Sequence, residues 1–220
     1  MKRIPLTLLL ALSLALTLTA CGNSPSTEPA EGNDTQVEIS SEATPENTAS
    51  ETETVSDGGD VLVIYFSGKG TTRGVAERLA AATGGDLYEI VPAQPYTDAD
   101  QNYNDPESRT SLEQNDPGAR PELAGESIDP TEYATVYLGY PIWWGQAPRI
   151  LSSFVESHDF TGCTVIPFCT SGSSPIGNSG KTLADQAGTG TWLEGMRFDG
   201  GISEADLSAW ADSMGQEVPQ

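Results

Sequence analysis

The hexapeptide "SGKGTT" (Ser67–Thr72) sets a serine, two threonines, a lysine and two glycines directly behind the apolar run "VLVIYF" (61–66). Such a corner, where a strand gives way to a helix, is suited to bind an anion. Backbone N–H groups at a helix N-terminus point outward, and the helix dipole favours negative charge beside them. Ser67, Thr71 and Thr72 add hydroxyl donors, Gly68 and Gly70 allow close approach, and Lys69 contributes a cation. The spacing excludes two common phosphate loops. A nucleoside-triphosphate loop requires G-x-x-x-x-G-K-[ST], but Lys69 is followed by Gly70, and Val63 stands five residues before Gly68. The dinucleotide pattern G-x-G-x-x-G meets Arg73 where its third glycine belongs. A single phosphate group fits the corner; a glycine-rich turn without a ligand is the competing reading.

Two further loops carry unusual residues. "GYPIWWGQAP" (139–148) places Trp143 and Trp144 side by side between a strand end and a helix start. Both indoles cannot be buried at so tight a corner, and a flat heteroaromatic ring stacked on one of them would cover it. The alternative is packing of the pair against the core edge or a neighbouring segment. "TSGSSPIGNSGKTL" (170–183) is again small and polar, and offers hydrogen bonds to the rim of the same ring or forms a plain surface loop. Taken together, the three loops suit a ligand with one phosphate and one planar ring system.

The elements that must hold these loops alternate in type. Apolar runs at 61–66, 86–91, 134–140 and 163–170, and a weaker one at 192–198, read as strands. Val75, Ala76, Leu79 and Ala80 recur at helical spacing after the first, and Ala147, Ile150, Leu151, Phe154 and Val155 after the third, with Pro148 in the first turn. Ser203 and Asp206 resemble a capping box opening a helix to about Met214. Strand–helix alternation predicts a three-layer α/β domain with a mostly parallel sheet. In such sheets ligands sit beyond the carboxyl ends of the strands, where the three loops lie. Residues 92–130 interrupt the rhythm, and read as a surface excursion carrying one short helix near 107–115.

Outside this domain, residues 1–21 read as a secretory leader: Lys2 and Arg3, then an apolar core, then "LTAC". The last four residues resemble a bacterial lipobox, which implies cleavage before Cys21 and acyl chains on it, anchoring the chain on the outer face of the cytoplasmic membrane. Residues 22–60 hold ten acidic groups, no Lys or Arg and few large apolar side chains, the composition of a disordered acidic tether. Its flexible reach is on the order of 35 Å. The net charge of −22 leaves −14 on residues 61–220, which argues against nucleic acid as a partner. Cys163 and Cys169, six residues apart on an extended strand, would be separated by about 20 Å, beyond the ~7 Å reach of a disulfide. They read as packing residues.

The set "YFSGKGTT", "GYPIWWGQAP" and "PFCTSGSSPIG" resembles the flavodoxins, in particular a bacterial flavodoxin-like group with a marked G-Y-P-I-W-W loop. The resemblance spans about residues 60–215. It implies a five-stranded parallel sheet in the order 2-1-3-4-5 and non-covalent FMN. Ser67, Gly68, Lys69, Gly70, Thr71 and Thr72 would then hold the phosphate. Pro141, Ile142, Trp143, Trp144 and Gly145 would flank the isoalloxazine, and Thr170, Ser171 and Gly172 with Gly177 its other edge. Lys69 departs from the pattern by replacing a threonine; it either strengthens phosphate binding or lies in solvent.

No nucleophile–base pair is evident, and the single histidine, His158, is placed to end a helix. The chemistry would therefore belong to the cofactor. An electron carrier serving a redox protein or a small acceptor such as a quinone is the leading expectation. An FMN-dependent NAD(P)H:quinone-type oxidoreductase and a ligand-free scaffold lipoprotein are the alternatives.

Overall fold

The inner strands of a parallel sheet are covered on both faces and so must be apolar on both, and the first run meets that requirement. In the computed structural model, which describes residues 60–215, strand β1 (Val61–Tyr65) sends Leu62 and Ile64 into one core and Val63 and Tyr65 into the other. The leader with Cys21 and the tether as far as residue 59 lie outside the described residues. Among those described, no helix is long and apolar enough to cross a membrane.

The chain continues through helix α1 (Thr71–Thr83), strand β2 (Asp86–Glu89), short strand β3 (Val91–Pro92), helix α2 (Arg109–Asn115), short strand β4 (Leu123–Ala124) and strand β5 (Thr135–Pro141). Helix α3 (Arg149–Ser157), strand β6 (Thr164–Thr170), helix α4 (Ser179–Ala187), strands β7 (Thr191–Trp192) and β8 (Met196–Phe198) and helix α5 (Glu204–Gly215) complete it. The main sheet runs β2-β1-β5-β6-β7, every pairing parallel, with β8 also on β6. That is the expected 2-1-3-4-5 order, with the fifth strand in two pieces.

The break has a cause in the sequence. Alternate residues of β6 face alternate neighbours: Thr164 donates to Ala134 on the β5 side, while Val165 accepts from Leu193 on the edge side. Pro167, two residues beyond Val165, turns its missing N–H to that edge, and there the fifth strand is interrupted between Trp192 and Met196. Gly195 crosses the gap, where a Cβ would lie 2.6 Å from the Pro167 carbonyl oxygen.

Two helices cover each face. Val75, Ala76 and Leu79 of α1 pack with Leu207 and Trp210 of α5 against Val63, Tyr65, Tyr137, Ile166 and Phe168. On the other face, Ile150, Leu151, Phe154 and Val155 of α3 and Leu183 of α4 cover Leu62, Ile64, Val136, Leu138 and Tyr140. Each large apolar side chain so buried contributes about 1.5–3 kcal/mol. Pro148 stands one residue before α3 rather than inside its first turn. Helix α4 is an addition to the expected elements: the polar stretch "NSGKTLADQAG" shows little apolar periodicity beyond Leu183 to mark it. Ser203 begins α5 as expected, accepting from the Asp206 N–H at 3.1 Å and donating to the Asp206 carboxylate at 2.6 Å.

The excursion at 92–130 is closed at its base by the antiparallel pair β3–β4. His158 follows α3; its Nδ1–H donates to the Phe154 carbonyl at 2.8 Å and its ring stacks on Phe154. Cys163 and Cys169 are free and buried, and burial pushes the Cys169 thiol up to about 12, leaving it protonated at neutral pH.

Gly139 of β5 sits opposite Phe168 of β6, and the phenyl ring lies where a side chain would go: a Cβ would be 2.2 Å from the ring. Gly139→Ala is expected to cost at least about 1–3 kcal/mol through overpacking. Urea unfolding measures it, and Phe168→Leu should recover part of the loss in the double variant.

Candidate functional site

The parallel register aligns the carboxyl ends of three strands. Tyr65 pairs with Gly139 and Gly139 with Phe168, so the loops after β1, β5 and β6 emerge side by side. Between them lies a cleft of about 540 Å3, within the range of small-molecule sites. Of the residues singled out in the sequence, Ser67, Gly68, Lys69, Thr71, Thr72, Pro141, Ile142, Trp143, Thr170, Ser171 and Gly172 line it.

At the first corner, Gly70 turns the chain with φ +86°, and its N–H donates to Ser67 Oγ at 3.0 Å. No side chain caps α1, so the amides of its first turn remain available to a ligand. Thr72, buried, shares a hydrogen bond of 2.8 Å with Thr170 Oγ1, tying the first loop to the third. Lys69 Nζ lies 3.4 Å from Asp98 Oδ1 with both side chains exposed, so its charge stands at the rim. Arg73 is committed to Glu89, through contacts of 2.6 and 2.7 Å.

The tryptophan loop divides its two indoles. Trp143 is buried, edge-on to Phe66 at 5.5 Å and Tyr96 at 5.3 Å between ring centroids. Trp144 is 38% exposed and packs against Tyr103 of the excursion at 4.5 Å. The division follows from the backbone. Trp143 and Gln146 exchange two hydrogen bonds of 2.9 and 3.0 Å, and the two central residues both have positive φ, +47° at Trp144 and +76° at Gly145. This mirror-image turn throws consecutive side chains to different sides, and at a tryptophan it stores strain of order 1–3 kcal/mol.

Trp144 does not line the cleft. Gly145 opens on a separate cavity beside α3, and Gly177 on a recess near Trp192. The third loop is pinned from the edge strand: Arg197 Nη2 donates to the carbonyls of Ser171 at 2.6 Å and Gly172 at 2.7 Å. Ser171 Oγ also donates to the Ser174 carbonyl.

Sequence reasoning missed the roof. Gln101 and Tyr103 reach the cleft from the excursion, and Asp199 and Gly200 close it near Thr71. Gln101 is buried against Gly68, where a Cβ would lie 2.6 Å from Gln101 Oε1 and 2.9 Å from the Trp143 ring. The excursion itself is locked down. Tyr96 donates to Glu113 at 2.7 Å beneath Arg109, whose guanidinium lies 4.1 Å from the Tyr96 ring centroid; burial, then the Glu113 carboxylate, raise the phenol's pKa far above its ordinary value. Gln114 donates to the carbonyls of Trp143 and Ala147, at 3.1 and 3.2 Å. The Thr97 N–H and hydroxyl hold the Asp100 carboxyl below its usual range, and the Thr110 hydroxyl bonds the Asp100 carbonyl at 2.6 Å, fixing the turn that carries Gln101. The excursion's scarcity of apolar periodicity hid all of this.

Amide and hydroxyl donors at one end and Pro141, Ile142, Trp143 and Tyr103 at the other fit an anionic group joined to a flat ring. The three-layer parallel domain with its cleft beyond β1, β5 and β6 defines a doubly wound α/β class. Within that class the chain belongs to the flavodoxin family, whose model matches residues 60–214. The chain is 47% identical to a protein of Bacteroides eggerthii described as a flavoprotein, over 70% of this chain and 97% of that one, with a TM-score of 0.66. A second, from Bacteroides uniformis, is 45% identical over 70% and 99%, with a TM-score of 0.67. A Lactobacillus acidophilus flavoprotein solved in complex with FMN shares the fold at 18% identity and a TM-score of 0.52, over 69% and 97%. No curated protein matches.

The Thr72–Thr170 contact is testable. Thr72→Val leaves the Thr170 hydroxyl without its partner and should cost about 1–3 kcal/mol. In a double-mutant cycle the combined Thr72→Val/Thr170→Val variant should lose less than the two singles together. Additive losses would show that the hydroxyls are not coupled.

Proposed function

We propose that the protein is an FMN-binding electron-transfer protein, held outside the cytoplasmic membrane by lipid on Cys21. The observation that carries the reading is the convergence of an uncapped helix start, rich in hydroxyls, with the Trp143 loop and the pinned third loop around one cleft. Family membership and the flavoprotein neighbours support its flavin-binding part.

Ser67 and the amides and hydroxyls of Thr71 and Thr72 would receive the phosphate, with Gly68 and Gly70 giving it close approach. Pro141, Ile142 and Trp143 would form one wall for the ring and Thr170 to Ser174 another, with Gln101 and Tyr103 as the roof. When bound, FMN supplies one- and two-electron chemistry; the protein supplies position and field. A charge of −14 on residues 61–220 opposes electrons added to a bound ring and lowers its reduction potential, screened in part by salt. The cleft lining includes no histidine and no cysteine, so the chain's own contribution is to bind, orient and exclude water. The partner, a redox protein or a small acceptor, is part of the proposal.

A second reading, an FMN-dependent NAD(P)H:quinone-type oxidoreductase, is favoured by the roofed cleft, whose excursion walls could shelter a substrate over the ring. Turnover of NADH with a quinone by the FMN-loaded chain would establish it; its absence leaves the carrier.

Flavin-free full-length chain titrated with FMN should quench flavin fluorescence to saturation at one equivalent. Lys69→Glu, at the exposed rim, should weaken binding by less than about ten-fold, and about 0.5 M salt should shrink the difference. Failure to bind FMN would sink the reading. The anchor is checked separately by expression: the chain should fractionate with membranes and Cys21→Ser with the soluble phase. Unchanged partition would remove the lipid from Cys21.

A further inference from the structure

A second cavity, of about 360 Å3, lies between α3 and α4 on the far side of the turn Trp143–Gln146. Two residues one helical turn apart on α3 open into it. Arg149 is only 7% exposed and has no carboxylate within ion-pair distance among the described residues. Its Nε and Nη2 donate to the carbonyls of Glu113 and Gln114, at 3.3 and 3.0 Å, at the end of α2. Its Nη1 has no protein acceptor among the described residues. Ser152 is 3% exposed, and its hydroxyl has no protein partner there either. Neither atom is sealed from solvent, and both residues line the cavity, so this unused hydrogen-bonding capacity faces its interior.

A guanidinium so little exposed, with only neutral carbonyls as its protein partners, gains from an anion placed at its open Nη1. From this geometry we infer that the cavity is a binding site for a small monocarboxylic acid bearing a polar substituent. The carboxylate takes the open Nη1 end of the Arg149 guanidinium and the Ser152 hydroxyl. Leu183 and Ala147 provide an apolar wall, and the remaining lining is amide and hydroxyl, suited to the ligand's substituent. Arg149 is the only cation in the lining, and residues 61–220 carry −14, so a monoanion is favoured over a dianion such as a phosphate monoester. The site stands whatever fills the first cleft.

The probe is 4-hydroxybenzoate, titrated calorimetrically into the full-length chain, first flavin-free and then with FMN added. Saturable one-to-one binding is expected in both titrations. The neutral isostere 4-hydroxybenzamide and inorganic phosphate should bind at least about ten-fold more weakly. Arg149→Met should abolish binding. Because that change also frees two carbonyls of α2, Ser152→Ala, which breaks no protein hydrogen bond among the described residues, serves as the second variant and should weaken binding about ten-fold. The inference is overturned by an absence of saturable binding, by equal affinity for the benzamide or tighter binding of phosphate, or by full affinity in Ser152→Ala. Competition by FMN would place the carboxylate in the first cleft and overturn it too.

Discussion

The in-register parallel hydrogen bonding of β1, β5 and β6 is the constraint from which the rest follows. Because Tyr65, Gly139 and Phe168 lie abreast, three loops far apart in sequence leave the sheet at one level. A slip of one residue would swap the two faces of a strand and carry its loop out of line. The register is enforced by side-chain size as well as by the ladder: Phe168 occupies the space that only a glycine at 139 leaves open. At the top of the sheet, the Thr72–Thr170 hydrogen bond repeats the same alignment between side chains.

The excursion between β2 and β5 is held to this frame by polar groups acting on backbone carbonyls. Gln114 grips Trp143 and Ala147 from one side, while Arg149 grips Glu113 and Gln114 from the other. These contacts join the tryptophan loop, α2 and α3 into one unit. The mirror-image turn at Trp144 and Gly145 is strained, and it persists because its neighbours on both flanks are fixed. One indole completes the core and the other is left half in water against Tyr103.

The sheet was legible from the sequence because parallel strands buried on both faces leave continuous apolar runs; 61–66, 134–140 and 163–170 were visible for that reason. The glycine–hydroxyl corner and the paired tryptophans also declared themselves, since each is costly without a purpose. What stayed hidden depends on polar contacts across long sequence separations. Gln101 and Tyr103 have no local pattern to mark them, and α4 carries a single fully buried leucine. Adjacency in the sequence groups Trp144 and Gly145 with Trp143, yet positive φ at both sends them elsewhere. Gly177, grouped with the third loop, opens away from the cleft for the same kind of reason, its φ of +57° turning the chain into α4.

Pro167 has a consequence for how these molecules behave in company. An outer strand with a long uninterrupted row of free amides and carbonyls invites a neighbouring polypeptide to add itself as one more strand. Here the outer strand comprises two residues, a gap and three residues, so an incoming segment meets too few consecutive partners to zip along that side. A proline chosen for the middle of β6 thereby guards the border of the sheet against polymerisation.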